Sequence, residues 1–277
     1  MSKIDRLNIQ ITKLDGGKVA QRDDLLAREE PMEMRIRYTG PSGKEVRRRV
    51  AVTMRTPGDD IDLIKGFFYT EGLIQNMEAI LEITGLEENI YEVSIHPNVR
   101  LDEDLLDRNF YTSSSCGVCG KASIESVQVD SQYLPWTSTL SVSKQAIWDT
   151  YKNFNQVDGL YARTGGSHMV ALANDLGEII QIGEDVGRHN AMDKLIGKSA
   201  LPLFTQILIV SGRASFELVQ KAAKAGIPIF LAIGAPSSLA LQLAEEHGIT
   251  LIGFLKEGSM NIYTGGKRIS DLEEVHF

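Results

Sequence analysis

The sequence predicts a mixed α/β protein, with a smaller N-terminal α+β domain and a larger C-terminal α/β domain. Three observations carry that prediction. In the second half, apolar runs of strand length alternate with amphipathic helical segments across short links, the pattern of a parallel or mixed sheet covered by helices. In the first half, two strand-like runs flank a Gly/Pro turn ahead of any helix, which is an antiparallel start. A length of 277 residues, 43% hydrophobic and 24% charged, supplies one large or two ordinary domains with material for a sizeable core.

Taken in order, Met32 to Tyr38 and Glu45 to Met54 are expected strands joined across Gly40-Pro41-Ser42-Gly43. Arg47-Arg48-Arg49, set between Val46 and Val50, reads as a solvated strand face, with a patch for an acidic partner as the alternative. Asp59 or Asp60 is placed to cap a helix after Pro57-Gly58, with Ile61, Ile64, Phe67 and Phe68 on its core face. Tyr91 to Ile95 alternates as a half-buried strand, and Leu101 to Phe110 reads as a short acidic helix. The expected divisions are 1–110 for the first domain, 111–140 for a mobile arm and linker, and 141–277 for the second domain. Ser141 or Ser143 opens an amphipathic helix carrying Ile147, Trp148, Tyr151 and Phe154. Strands are then expected over Met169 to Ala173, Glu178 to Gly183, Ile207 to Val210, Ile227 to Ile233 and Thr250 to Phe254. Helices are expected over Gly187 to Gly197, Ser215 to Ala225 and Ser237 to His247.

Tyr111 to Lys121, YTSSSCGVCGK, holds the only two cysteines, Cys116 and Cys119. Its serines and glycines make it a poor helix or strand, so an exposed loop is expected, and Lys121 favours the thiolate that reacts and accepts sulfur. Three other uses of the thiols compete. A structural disulfide is disfavoured because the first residues hold no apolar signal core and cytosolic disulfides are rarely structural. Half of a zinc site lacks a second C-x-x-C, and the five histidines have no ligand spacing. A thioredoxin-like pair would open a helix after a strand.

The formal charge of −8 argues against general affinity for nucleic acid or anionic membranes, and no apolar run approaches bilayer length. A cytoplasmic protein is expected. Three polar clusters fall where strands meet helices, the rim at which open α/β sheets bind ligands. They are Thr164 to His168, Glu184 to Asn190 and Ser211 to Ser215. Small residues, helix N-termini, Arg188 and Arg213 suit phosphate, with His168, His189 and Ser211 beside them. Glu184 and Asp185 are candidates to accept from a base or sugar. The plainer reading makes Asp185 a cap, Arg213 a salt-bridge partner and both histidines ordinary ones. There is no Walker loop and no GxGxxG. A further rim segment, Phe254-Leu255-Lys256-Glu257-Gly258-Ser259, offers a ring at Phe254 and a cation at Lys256, against the alternative of a solvent-facing turn.

The blocks CGVCGK, GEDVGRHNAMDKLIG, VSGRASFELVQKAAKAGIPIF and LIGFLKEG together resemble the formate dehydrogenase accessory sulfurtransferase family, the FdhD-type sulfur carriers. The resemblance runs from the Gly66-Phe67 helix to Tyr263. It implies a cytoplasmic, homodimeric carrier that accepts sulfur from a cysteine desulfurase as a persulfide. That sulfur would pass to the molybdenum of the bis(molybdopterin guanine dinucleotide) cofactor before insertion into formate dehydrogenase. It further implies that Cys116 carries the persulfide with Cys119 as its partner, and that Phe254 to Ser259 belongs to the cofactor-binding stretch, with GDP as a mimic of the bound cofactor. The larger domain should be similar in fold to cytidine deaminases. Two positions depart from the pattern: Glu257 is expected to face away from phosphate, and the segment around His168 matches loosely. A working zinc deaminase is disfavoured, because no histidine is followed two residues later by glutamate and Ser115 stands where that signature has proline. The alternatives carried forward are a non-catalytic cofactor chaperone and a zinc-bridged dimer of C-x-x-C arms.

Overall fold

The computed structural model describes residues 4–101, Leu106 and residues 132–273; among these the chain forms three sheets and six α-helices. The expected arm and linker as far as residue 131, with Cys116 and Cys119, and most of the helix expected over Leu101 to Phe110, lie outside the described residues.

The chain opens with a hairpin that the sequence reading did not anticipate. Strands β1 (Arg6–Asp15) and β2 (Lys18–Ala27) pair antiparallel along their whole length, from Arg6↔Ala27 to Asp15↔Lys18. Gly16 and Gly17 take the turn with φ of 53° and 86°, a conformation that favours glycine. No residue of either strand is buried.

The second sheet has the order β4-β3-β6-β5, from β3 (Glu30–Thr39), β4 (Glu45–Arg55), β5 (Ile80–Glu87) and β6 (Ile90–Ile95). The expected hairpin about Gly40 to Gly43 is present, and β6 joins β3 in parallel. Alternation divides β3 into buried Met32, Met34, Ile36 and Tyr38 and an outer row of Glu33, Arg35 and Arg37. On that outer face Arg47 Nε lies 3.1 Å from Glu45, Arg49 Nε 3.0 Å from Glu33 and Arg37 Nε 3.3 Å from Glu92. The arginine run thus contributes a charge ladder whose half-exposed pairs each contribute little to stability.

Helix α1 (Asp60–Thr70) follows. Asp59 occupies its N-cap but with φ 56° and no side-chain capping bond, correcting the expected cap. Asp59 instead reaches Lys198 at 2.9 Å, and Asp60 accepts from Arg55 Nε at 2.9 Å and Tyr91 OH at 2.9 Å. The core face is also rotated from the expected one: Leu63, Ile64, Phe68 and Tyr69 are buried while Ile61 is exposed.

The third sheet has the order β12-β11-β10-β9-β7-β8. Its centre is parallel, from β9 (Ile207–Val210), β10 (Ile229–Ala232) and β11 (Thr250–Lys256). Antiparallel pairs flank it, β7 (His168–Ala173) with β8 (Ile179–Asp185) on one side and β12 (Ser259–Thr264) on the other. Side chains alternate between two cores. Val170, Leu172, Leu208, Val210, Phe230 and Leu251 face one way, onto α4 (Arg188–Gly197), α5 (Phe216–Lys224) and α6 (Ser238–Glu246). Met169, Ala171, Ile209, Leu231 and Ile252 face the other, onto α2 (Lys144–Asn155), whose N-cap is the expected Ser143, accepting from Ala146 N–H at 3.1 Å. The remaining helix, α3 (Leu160–Thr164), is a short one between α2 and β7.

The first of these cores also takes in Met32, Met34, Ile36, Ile64 and Phe68, so α1 and the second sheet pack against the helices of the third. Helices α1 and α4 cross at glycines. A Cβ on Gly66 would overlap the Asp193 carbonyl, and one on Gly197 would overlap that of Asp62. Next to this crossing, Lys221 Nζ donates to both oxygens of Asp193 at 2.8 and 2.9 Å, to Thr70 Oγ1 at 2.7 Å and to Glu71 at 2.9 Å, tying α1, α4 and α5 together. Burial works against the Lys221 cation, and the Asp193 and Glu71 carboxylates more than offset it, holding the amine above its ordinary range.

Candidate functional site

The three polar clusters and the Phe254 segment meet at one end of the third sheet. His168 pairs with Asp185 across β7 and β8, and Val170 pairs with Val210, so the start of β7 lies beside the ends of β8 and β9. Backbone bonds then stitch the strand ends together: Ser211 N–H to Met169 O at 2.9 Å, Gly234 N–H to Gly212 O at 2.9 Å and Phe254 N–H to Gly234 O at 3.1 Å. Helices α4 and α5 begin on the same face of this rim, and a Cβ on Gly212 would lie 3.7 Å from His168 Nδ1. The result is a crevice between two helix N-termini at the reversal from parallel to antiparallel strands, where α/β sheets bind ligands.

Several of its acidic groups are committed to the scaffold. Asp185 is fully buried. Its Oδ1 accepts from Gly187 N–H at 2.9 Å and Asn190 Nδ2 at 3.2 Å, and its Oδ2 from Thr56 N–H at 3.0 Å and Lys194 Nζ at 2.8 Å. Glu184 accepts from Leu160 and Tyr161 N–H at 2.9 and 2.8 Å, closing the start of α3. Ser211 Oγ accepts from Met169 N–H at 3.1 Å. These bonds give both oxygens of Asp185 and both of Glu184 donors from the scaffold.

The cations are differently placed. Arg188 is half-buried and Arg213 exposed, and neither meets a carboxylate among the described residues. His189 Nε2 lies 3.5 Å from Glu217 Oε2, an ion-pair distance looser than a tight hydrogen bond. The His189 contact, first among its causes, holds the Glu217 carboxyl down at about 2. Burial pushes His168 below the usual imidazole range, and the positive charges of Arg188 and His189 add to that. Sequence reasoning missed Glu217; its position just inside α5 was the available signal, since a carboxylate there also meets the positive end of the helix.

The Phe254 to Ser259 stretch divides. Phe254 has φ 51°, a genuine outlier for an aromatic residue, and its ring is half exposed at the rim. Register breaks between Gly253 and Lys256, which pairs with Ser259 across a turn of Glu257 and Gly258. Leu255 points into the α2-side core with 1% exposure, so among the residues of this stretch it has no surface to offer a ligand. Lys256 and Ser259 are exposed, while Glu257 and Gly258 line a separate groove of about 780 Å³ with Trp148 and Tyr151 of α2. No helix among the described residues is long and apolar enough to cross a membrane.

Comparison with known proteins decides the family, because the FdhD/NarQ family model matches residues 27–270. The chain belongs to the FdhD/NarQ family. The sulfur carrier protein FdhD of Streptomyces coelicolor is 42% identical over 275 residues, covering 94% of each chain. That of Mycobacterium tuberculosis is 40% identical over 277 residues, covering 94% of this chain and 97% of the relative. An archaeal FdhD, from Saccharolobus solfataricus, is 38% identical over 263 residues, covering 94% and 96%. In fold, this FdhD/NarQ member is similar to the crystal structure of a putative formate dehydrogenase accessory protein from Desulfotalea psychrophila, with a TM-score of 0.70, 22% identity and coverage of 95% and 99%.

Proposed function

We propose that this protein is a sulfur carrier that matures formate dehydrogenase, taking sulfur from a cysteine desulfurase and passing it to the molybdenum cofactor. The observation that carries this reading is the full-length similarity to proteins named sulfur carriers, in a chain whose only cysteines stand as Cys116-Gly-Val-Cys119. On this reading the protein works in the cytoplasm as a homodimer.

The chemistry needs no separate base. The Cys116 thiolate attacks the outer sulfur of the donor's persulfide; the S–S bond breaks, the donor cysteine leaves as thiolate, and Cys116 becomes a persulfide with no net oxidation. Release then follows by attack of the Cys119 thiolate on the inner sulfur of Cys116. The outer sulfur leaves as hydrosulfide for the metal of the substrate, and the two cysteines, oxidised by two electrons, become a disulfide that must be reduced before the next cycle.

The crevice supplies the other half. The cations Arg188 and Arg213, which meet no carboxylate among the described residues, suit the phosphates of a bis(molybdopterin guanine dinucleotide) substrate, and the exposed Phe254 ring suits stacking on a guanine. Lys256 and Ser259 extend the polar rim beside them.

Peptide mass spectrometry after incubation with a cysteine desulfurase and cysteine tests the carrier step. A reductant-removable sulfur on the Cys116 peptide, lost in Cys116→Ala, is the expected result. No added sulfur on either cysteine, with Cys116→Ala still able to activate formate dehydrogenase, would leave a cofactor chaperone as the function.

A further inference from the structure

Strands β1 and β2 form a two-stranded sheet in which no residue is buried, and a hairpin standing alone in water is marginally stable. At its base β2 meets α3, and a Cβ on Gly166 would lie 3.7 Å from that of Ala27. Further along, large aliphatic side chains face outward: Leu7 and Leu26 are 47% and 45% exposed on one face, Leu14 and Val19 each 69% on the other. We propose that the outer edge of β1 pairs antiparallel with β1 of a second copy of this chain, joining the two hairpins into one four-stranded sheet. The carrier reading above takes the protein as a homodimer but needs no particular face; the face assigned here stands on this strand alone.

Charge decides between the two free edges. Among the described residues neither β1 nor β2 pairs with any further strand, so each has one row of backbone groups without a ladder partner. Charged side chains along an edge are how sheets discourage unwanted pairing. The centre of β2 carries Arg22-Asp23-Asp24, whereas Leu7 to Thr12 of β1 holds no charged residue and no proline. The edge of β2 is guarded and that of β1 is not.

The turn then fixes the register. Gly16-Gly17 is a two-residue turn, so Asp15 and Lys18 form its hydrogen-bonded closing pair. Alternation from there points the backbone groups of the odd-numbered β1 residues at β2, in agreement with the bond of 2.9 Å from Arg28 N–H to Asp5 O, and those of Asn8, Gln10 and Thr12 away from it. Centring the pairing on Gln10 sets these outward groups opposite one another, Gln10 against its own copy and Asn8 against Thr12 of the second copy. On one face it places Ile9 against Ile11 of the second copy, twice by symmetry, next to the exposed Leu7. Centring it on Ile11 would set Ile9 against Lys13 instead. The same construction on β2 sets Arg22 or Asp23 against its own copy, a destabilising like-charge pair.

The test is sedimentation equilibrium of the full chain between about 1 and about 50 μM, where the wild type is expected to dimerise. Ile9→Lys with Ile11→Lys puts like charges opposite each other in both Ile–Ile pairs and should weaken dimerisation about tenfold or more; Ile9→Lys with Ile11→Glu makes both pairs complementary and should recover most of that loss. A second measurement leaves the strand uncharged. In a chain carrying Cys116→Ser and Cys119→Ser, Gln10→Cys faces its own copy at about 5.5 Å between Cα atoms, a spacing that suits a disulfide, so mild oxidation with copper phenanthroline should give a covalent dimer. Gln21→Cys on β2 in the same background should not. A wild type that stays monomeric across the range overturns the inference. So does a dimer whose dissociation constant is unchanged by Ile9→Lys with Ile11→Lys, or a Gln10→Cys chain that does not cross-link. Sulfur loading of Cys116 reports on the carrier reading separately, since it does not depend on which face pairs.

Discussion

Four donors converge on the buried carboxylate of Asp185, and one of them is the buried Lys194 ammonium, which also donates to Thr56 O at 2.7 Å. Removing the acid in Asp185→Ala strands that cation, so we expect a loss of about 3–5 kcal/mol, seen as a lower urea midpoint at unchanged slope. A change under about 1 kcal/mol would contradict the role assigned to the pair. Phe254 should behave oppositely. Its left-handed φ costs about 1–2 kcal/mol that glycine does not incur, and its ring is half exposed. Phe254→Gly should therefore leave the melting temperature equal or higher while weakening GDP binding; a clear drop in melting temperature would show that the ring serves the fold. Sequence placed both residues at the rim, because each stands at or just past the end of an expected strand. It did not separate their roles: the donors to Asp185 include Thr56, which arrives from the other half of the chain, and an aromatic at positive φ leaves no mark in the sequence.

Among the elements, the crossing of α1 and α4 is the most demanding. Gly66 and Gly197 let two backbones approach until no Cβ fits between them, so Gly66→Ala or Gly197→Ala should cost about 3 kcal/mol or more through overpacking. Chemical denaturation checks this; a wild-type midpoint in both variants would mean that the helices part at little cost. The helices were legible because their apolar positions recur at helical spacing, and the central strands because they are short unbroken apolar runs, as in β9 and β10. The hairpin of β1 and β2 was not, since neither face meets a core, although Leu7, Ile9 and Ile11 alternate ahead of Gly16-Gly17. Strands β5 and β12 escaped for a related reason: each lies at a sheet edge and carries mostly exposed or half-exposed side chains.

For the molecule as a whole, pH acts in one direction at three places. Burial holds His168 and His247 below the ordinary imidazole value, with Arg188 and His189 contributing at His168. The unfolded chain therefore binds more protons there once pH falls below about 6.5, and stability declines until the folded histidines also titrate. Glu217, held at about 2, contributes stability that is present above the ordinary value of 4.5 and is lost as pH falls through that interval. Unfolding midpoints should fall first below about pH 6.5 and again below about pH 4.5, with His168→Gln softening the first step. A flat midpoint from neutrality to about pH 5 would rule out the histidine contribution. The mixed α/β class was legible from the order of the periodic segments. The sharing of one core between α1, the second sheet and the helices of the third was not, because it depends on contacts between distant parts of the chain.

That shared core takes in described residues on either side of the stretch that holds the two cysteines. Val99 and Leu101 pack against it on one side; on the other, Gln132 Nε2 donates to Gln75 O at 2.9 Å and the Tyr133 ring meets Phe204 at 6.0 Å, edge to face. On the carrier reading proposed above, a sulfur on Cys116 is covalently tied to the chain that forms the crevice, so its meeting with a substrate bound there is set by effective concentration. Single-turnover transfer should then keep the same first-order rate when the loaded protein is diluted, whereas exchange through free sulfide would slow in proportion.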